Sequence, residues 1–186
     1  SSGNATVDNG TNALIIAVSS LGGNLTLTSG HGDGIIDAAG AIVTVGGNLS
    51  ATTNTNNGVI NMGTLAVDGT IALITNGNGN ATVVNDVGLN FGTSSVGGIL
   101  TATASAGNMT DTGALTVTST SSFTTSTTDA DIQLDTTTNR FTGTVTVNTL
   151  GTGGDAEVHG GSTELKIIAS GEVGTLTLTT IGGADI

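Results

Sequence analysis

The segment Gly22-Gly23-Asn24-Leu25-Thr26-Leu27-Thr28 contains the pattern that decides the fold. Leucine and threonine alternate after the glycines, so in an extended strand the leucines face one side and the threonines the other. The same alternation returns at Leu115-Thr116-Val117-Thr118, Thr144-Val145-Thr146-Val147 and Leu176-Thr177-Leu178-Thr179. Period-two alternation of this kind predicts short, half-buried β-strands.

Shorter versions of the pattern predict further strands at 42–45, 65–67, 71–73, 100–103, 132–134 and 165–167. Turns separate them, and the dipeptides Asn9-Gly10, Asn57-Gly58 and Asn76-Gly77 readily supply a positive φ. Good helix formers are scarce, whereas Thr, Val, Asn and Gly dominate. The chain is therefore predicted to be all-β.

Internal repetition favours a solenoid over a sandwich. The opening motif returns as Gly46-Gly47-Asn48-Leu49-Ser50 and as Gly97-Gly98-Ile99-Leu100-Thr101. Recurring spacings near 15 and 30 residues between leading hydrophobic residues suggest one or two units of a stacked coil. With roughly 20 residues per coil, we expect about nine coils and a rod of about 45 Å. A β-sandwich is the alternative fold, but its core usually holds more aromatic residues than three Phe.

Composition excludes several classes of function. The formal net charge is −12, and Arg140 and Lys166 are the only basic residues besides two histidines. Binding to phosphate backbones requires clustered basic residues, so a nucleic acid partner is excluded. No apolar run approaches the length of a transmembrane helix, and the absence of Cys excludes disulfides and zinc–thiolate sites. The apolar content of 36% predicts a folded chain rather than a disordered one.

The second half of the chain resembles a known family. The segments 97–107, 113–117, 122–125, 132–134 and 139–147 resemble, in this order, repeats of filamentous-haemagglutinin-like adhesins, and the likeness is best over residues 87–180. The resemblance implies a right-handed parallel β-helix that is secreted across an outer membrane and displayed as a long fibre. It implies the repeat shaft of such a protein and contributes no catalytic residues.

The residues whose side chains could take part in catalysis or metal binding do not form a recognisable active site. His31 and His159 are isolated and read as exposed turn residues, because no third metal ligand accompanies them. The stretch Gly30–Asp37 is similar to the calcium nonapeptide of β-rolls, which works only in tandem, and here it occurs once. The acidic groups Asp129, Asp131, Asp135 and Asp155, Glu157 read as solvated loop charges. We therefore predict a non-enzymatic protein without catalytic, cofactor-binding or metal-binding residues, and without a cofactor.

The segments that begin at Asn4, Asn24, Asn48, Asn80 and Asn108 fit the N-glycosylation pattern. A turn asparagine followed by a strand with alternating threonine produces this pattern automatically. The sequence alone therefore does not predict modification.

We expect residues 1–186 to form a single solenoid segment that is either part of a longer array or a subunit that stacks end to end. The leading hypothesis is an extracellular or cell-surface structural role, as an adhesin shaft or filament subunit whose partner is itself. A second hypothesis is ice binding by stacked threonine pairs, namely Thr26/Thr28, Thr116/Thr118, Thr144/Thr146 and Thr177/Thr179. A third is recognition of cell-surface glycans by a loop. No membrane insertion is expected.

Overall fold

The computed structural model describes residues 3–171 and 173–186, and these residues form strands, turns and bends without a helix. Accordingly, no helix of this part of the chain could span a membrane. The first eleven strands are β1 (Ala5–Asp8), β2 (Leu14–Ile16), β3 (Ser19–Leu21), β4 (Leu25–Ser29), β5 (Ile35–Asp37), β6 (Val43–Val45), β7 (Leu49–Asn56), β8 (Ile60–Val67), β9 (Thr70–Asn76), β10 (Ala81–Asn85) and β11 (Leu89–Phe91). The other eleven are β12 (Ser94–Val96), β13 (Leu100–Ala104), β14 (Met109–Asp111), β15 (Leu115–Val117), β16 (Ser121–Thr128), β17 (Ile132–Leu134), β18 (Arg140–Phe141), β19 (Val145–Leu150), β20 (Ala156–His159), β21 (Ile167–Gly171) and β22 (Leu176–Thr179).

The strands stack into two parallel sheets. Sheet A follows the order β1-β4-β7-β9-β11-β14-β17-β20-β22, and sheet B follows β2-β5-β8-β10-β13-β16-β19-β21. Each turn of the chain adds one strand to each sheet, which makes a β-solenoid of about eight turns. At about 4.8 Å between neighbouring strands, the nine strands of sheet A span about 38 Å. The predicted all-β parallel solenoid is confirmed.

The predicted repeat length needs correction. Register partners in adjacent turns lie 19 to 25 positions apart, so the turns are slightly longer than expected and fewer than nine. The 15-residue spacing between Leu100 and Leu115 is not a turn, because Leu100 lies in sheet B and Leu115 pairs beside sheet A. Two strands of one turn carry the same alternating pattern, and this similarity hides the true period.

A third, shorter side completes each turn, and its position changes along the rod. In the first turns β3 and β6 stack with the C-terminal half of β8, next to sheet B. In later turns β12, β15 and β18 stack next to sheet A, beginning beside Ile74 of β9. Both sheets continue through this change, with register shifts between Thr52 and Asn56 in sheet A and between Val83 and Asn85 in sheet B.

The core consists of aliphatic columns that run along the rod. Leu25 lies opposite Leu49, and Leu49 lies opposite Ile71, so each buried side chain packs on its equivalent in the next turn. Three buried phenylalanines are the largest side chains of the core. Phe123 makes edge-to-face contacts with Phe91 and Phe141, at ring-centroid distances of 6.0 and 5.9 Å.

Candidate functional site

A column of side-chain amides links successive turns at one corner of the solenoid. The backbone N–H of Asn24 donates to Oδ1 of Asn4, that of Asn48 to Oδ1 of Asn24, and that of Thr70 to Oδ1 of Asn48, at 2.8 to 2.9 Å. Each asparagine precedes a strand of sheet A by one or two residues. Its side chain therefore provides an acceptor for a backbone N–H at a corner, where the backbone hydrogen bonds between neighbouring strands have not yet begun.

The glycine before each of these three N–H donors is explained by the same column. A Cβ atom on Gly23 would lie 2.5 Å from Oδ1 of Asn4, and one on Gly47 would overlap Oδ1 of Asn24. A Cβ on Gly69 would overlap Oδ1 of Asn48 in the same way. The repeated Gly-Asn pair therefore serves close packing of one turn on the amide of the turn before it.

The column continues in the second half of the chain with carboxylates in place of amides. Oδ1 of Asn108 accepts from the N–H of Asp131, Oδ1 of Asp131 from that of Asp155, and Oδ1 of Asp155 from that of Thr175, at 2.7 to 2.9 Å. Asn80 plays the same part toward the N–H of Ile99 on the sheet B side, at 2.8 Å. We call these acceptors the Asn/Asp ladder, which comprises Asn4, Asn24, Asn48, Asn80, Asn108, Asp131 and Asp155.

The ladder changes the interpretation of the acidic groups. Asp131 and Asp155 are not merely solvated loop charges, because each accepts a backbone hydrogen bond from the next turn. Asp129 has a positive φ of 59° and accepts a hydrogen bond from the N–H of Gly153. Glu157 lies 3.2 Å from Nε2 of His159 on the outer face of sheet A. The structure therefore gives a structural contact to these four acidic residues.

Buried threonine hydroxyls close the loops at the ends of several strands. Thr53 donates to the carbonyl of Gly58, and Thr75 donates to that of Gly79, at 3.0 and 2.9 Å. Thr125 and Thr149 do the same for the carbonyls five residues later. A loop that bends into the core thereby keeps its carbonyl oxygen paired.

One carboxylate is buried in the interior column of sheet A. Asp111 lies opposite Phe91 in the register and is 6% exposed. Its Oδ1 accepts from the N–H groups of Asp135 and Thr136, and its Oδ2 accepts from the side-chain amide of Asn139. Burial raises the pKa of the Asp111 carboxyl, while the hydrogen bonds from Asn139 and Thr136 act in the opposite direction. The cluster fixes the 135–139 loop against the core.

The two histidines lie apart and differ in their surroundings. His31 is in an exposed turn, where its Nδ1 accepts from the N–H of Asp33 at 3.1 Å. His159 is wrongly predicted as a turn residue, since it ends β20 and its side chain is only 17% exposed. The stretch Gly30–Asp37 does not form a cage, because Asp33 stays in the turn while Asp37 accepts from the N–H and hydroxyl of Thr64. Across residues 3–171 and 173–186, no three or more His, Asp or Glu side chains are grouped so as to hold a metal ion.

The glycosylation patterns that begin at Asn4, Asn24, Asn48, Asn80 and Asn108 coincide with the ladder. Each of their asparagines is exposed, and each uses its Oδ1 to accept a backbone hydrogen bond from the following turn. The pattern Asn-x-Thr/Ser thus results from a ladder asparagine placed just before an alternating strand.

The four threonine pairs of the ice-binding hypothesis do not form one face. Thr26 and Thr177 lie in sheet A at opposite ends of the rod, whereas Thr146 lies in sheet B. Thr116 belongs to the side stack next to sheet A. A different, contiguous set of hydroxyls lies on sheet B, where Thr82, Thr101 and Ser122 occupy successive turns.

Comparison with known proteins places the chain among repeat proteins. Residues 78–148 match a family model described as "Repeats of unknown function (DUF5649)". This segment begins at the turn of Asn78 and ends in β19, so it covers parts of both sheets. No curated protein and no solved structure matches the chain.

Proposed function

We propose that this chain is a structural repeat segment of an extracellular filament, comparable to the shaft of a filamentous-haemagglutinin-like adhesin. One observation carries the proposal. Every strand pairing among the described residues is parallel and joins equivalent positions of successive turns, as in Leu25 opposite Leu49 and Met109 opposite Ile132. A turn of this kind is a unit that extends a rod along one axis.

The side-chain contacts support the same conclusion. The ladder satisfies corner N–H groups from one turn to the next, and the buried threonines satisfy corner carbonyls within a turn. The ladder contacts reach only the adjacent turn and the threonine contacts stay within one turn, so the stability of the rod is approximately additive along its length. Such an arrangement suits a spacer that holds other parts of a surface protein away from the cell.

Localisation is the first test. Antibodies raised against the purified 186-residue chain should label intact cells of the producing organism, and immunogold should decorate fibres that project from the surface. An antibody against a cytoplasmic protein serves as the control for cell integrity. Labelling that requires permeabilised cells would refute the extracellular role.

End-to-end association is the second test. Each end of the rod is proposed to stack on another solenoid turn, either of the same polypeptide or of a second copy. Negative-stain electron microscopy of the concentrated chain should then show rods longer than the about 38 Å of one copy. Particles that keep the length of one copy at every concentration would remove the filament-subunit version and leave the shaft version.

A further inference from the structure

The outward face of sheet B carries one uninterrupted rank of side chains along the whole rod. Each member lies opposite the next in the register of the sheet. The rank consists of Ile15, Ile36, Asn61, Thr82, Thr101, Ser122, Thr146 and Ile168. A second, shorter rank beside it consists of Val84, Thr103, Thr124 and Asn148.

The two ranks are uncharged although the chain has a net charge of −12, and the exposed Asp86 lies at their border, two residues after Val84. None of the twelve residues in the two ranks is ionisable. By contrast, the outward face of sheet A carries Asp8 and Glu157, and the Asn/Asp ladder places Asp131 and Asp155 at a corner. Two copies can therefore approach each other through the two uncharged ranks of sheet B, whereas the outward face of sheet A and its corner would bring several carboxylates together.

The order of residues in the longer rank suits a twofold pair. Isoleucines occupy its ends, where Ile15 is 60% and Ile168 is 54% exposed, and hydroxyls occupy its middle. If a second rod lies antiparallel on this face, Ile15 of one copy meets Ile168 of the other. Thr82 and Thr101 then meet at the centre. The surface is thus complementary to itself, as a twofold interface requires.

The area of the face is sufficient for a weak but specific contact. Eight strands at about 4.8 Å spacing cover about 34 Å along the rod, and a five-residue strand is about 16 Å long. Pairing would cover about 540 Å² on each copy, or about 1,100 Å² in total, just above the lower bound of about 1,000 Å² for specific interfaces.

We propose that the outward face of sheet B pairs two copies of this chain side by side, as antiparallel rods. The proposal goes beyond end-to-end stacking, because it concerns the flank of the rod rather than its ends. Lateral pairing doubles the cross-section at constant length, whereas stacking doubles the length at constant cross-section.

The test compares two matched double variants of the 186-residue chain. Thr103→Glu with Thr124→Glu places carboxylates on sheet B near the twofold axis. The control, Thr28→Glu with Thr52→Glu, places them on sheet A at half-buried, outward threonines that are also register partners in adjacent turns. Sedimentation velocity gives the oligomeric state, small-angle scattering gives the cross-section, and urea unfolding verifies that both variants are folded.

The wild type and the sheet A variant should form laterally paired dimers, and the sheet B variant should dimerise roughly a hundredfold more weakly because like charges meet in the interface. A wild type that remains a single rod up to about 1 mM would overturn the proposal. Equal weakening by both variants would also overturn it. A single rod that depresses the freezing point of its solution would assign the face to ice instead of a second copy. None of these outcomes depends on whether the ends stack.

Discussion

Replacing Gly47 by alanine tests the close packing between turns on which the solenoid depends. The added Cβ would overlap Oδ1 of Asn24 and would lie 2.8 Å from the carbonyl carbon of Gly23. Two hydrogen bonds join the turns at this point, from the N–H of Gly47 to the carbonyl of Gly23 and from the N–H of Asn48 to Asn24. Separating the turns locally strains both of them.

The magnitude follows from these contacts. Overpacking costs about 1–3 kcal/mol, and each weakened hydrogen bond costs up to about 1 kcal/mol. We therefore expect Gly47→Ala to lower the free energy of unfolding by about 3 kcal/mol. Gly63→Ala is the control, because Gly63 lies in β8 and a Cβ there meets nothing within 4 Å. Alanine should stabilise that position by about 0.5 kcal/mol.

Urea unfolding followed by far-ultraviolet circular dichroism measures both variants against the wild type. Because repeat proteins open locally, hydrogen exchange should in addition show faster exchange confined to the turns around residues 22–56 in Gly47→Ala. If both alanine variants have the same unfolding midpoint, the proposed steric contact between turns does not exist. If Gly47→Ala exchanges faster only far from this segment, the assigned contact is also wrong.

Three further substitutions address the core. Phe123→Ala removes both edge-to-face contacts and should lower the free energy of unfolding by about 3–5 kcal/mol, measured by urea titration. Ser121→Ala should raise it by about 1 kcal/mol in the same assay, because the buried Ser121 hydroxyl has no hydrogen-bond partner among the described residues. The free energy of unfolding of the wild type, relative to that of Asp111→Asn, should be highest below about pH 4. This difference should shrink as the pH rises through the raised pKa of Asp111, since ionisation of a buried carboxyl disfavours the fold. Urea unfolding midpoints from about pH 3 to 8 measure the difference. A pH-independent difference would contradict the burial argument.

The sequence predicts those strands in which large aliphatic residues alternate with threonine. Ile132–Leu134 and Leu176–Thr179 have the predicted bounds, and Leu25–Ser29 differs by one residue. These positions are predictable because their inward residues are large and their outward residues are hydroxylic, which is a local property of the strand. Positive φ at Gly77 is likewise predicted from its dipeptide, whereas at Asn57-Gly58 the asparagine rather than the glycine adopts it.

Strands with small polar residues at inward positions could not be predicted in the same way. Ser94 begins β12 and points inward, where its hydroxyl accepts from the N–H of Leu73 in the preceding turn. Asn85 ends β10 and is fully buried, because its amide accepts from the N–H of Val67 and donates to its carbonyl. These partners lie 18 to 21 residues away in the sequence. A local pattern assigns such residues to turns, whereas the neighbouring turn makes them core residues.

The same distance dependence explains why a chain with the composition of a low-complexity segment folds into an ordered rod. Gly47 is required because Asn24 lies beneath it, and Asn24 is required because the N–H of Asn48 has no other acceptor at the corner. A Gly together with an Asn or Asp at these corners is therefore a consequence of stacking, not a sign of disorder. Corners and a few register shifts within strands accommodate the variation of 19 to 25 residues per turn. A sequence period is consequently weak in this chain even though the structural repeat is regular, and register between turns is a better definition of the repeat than residue spacing.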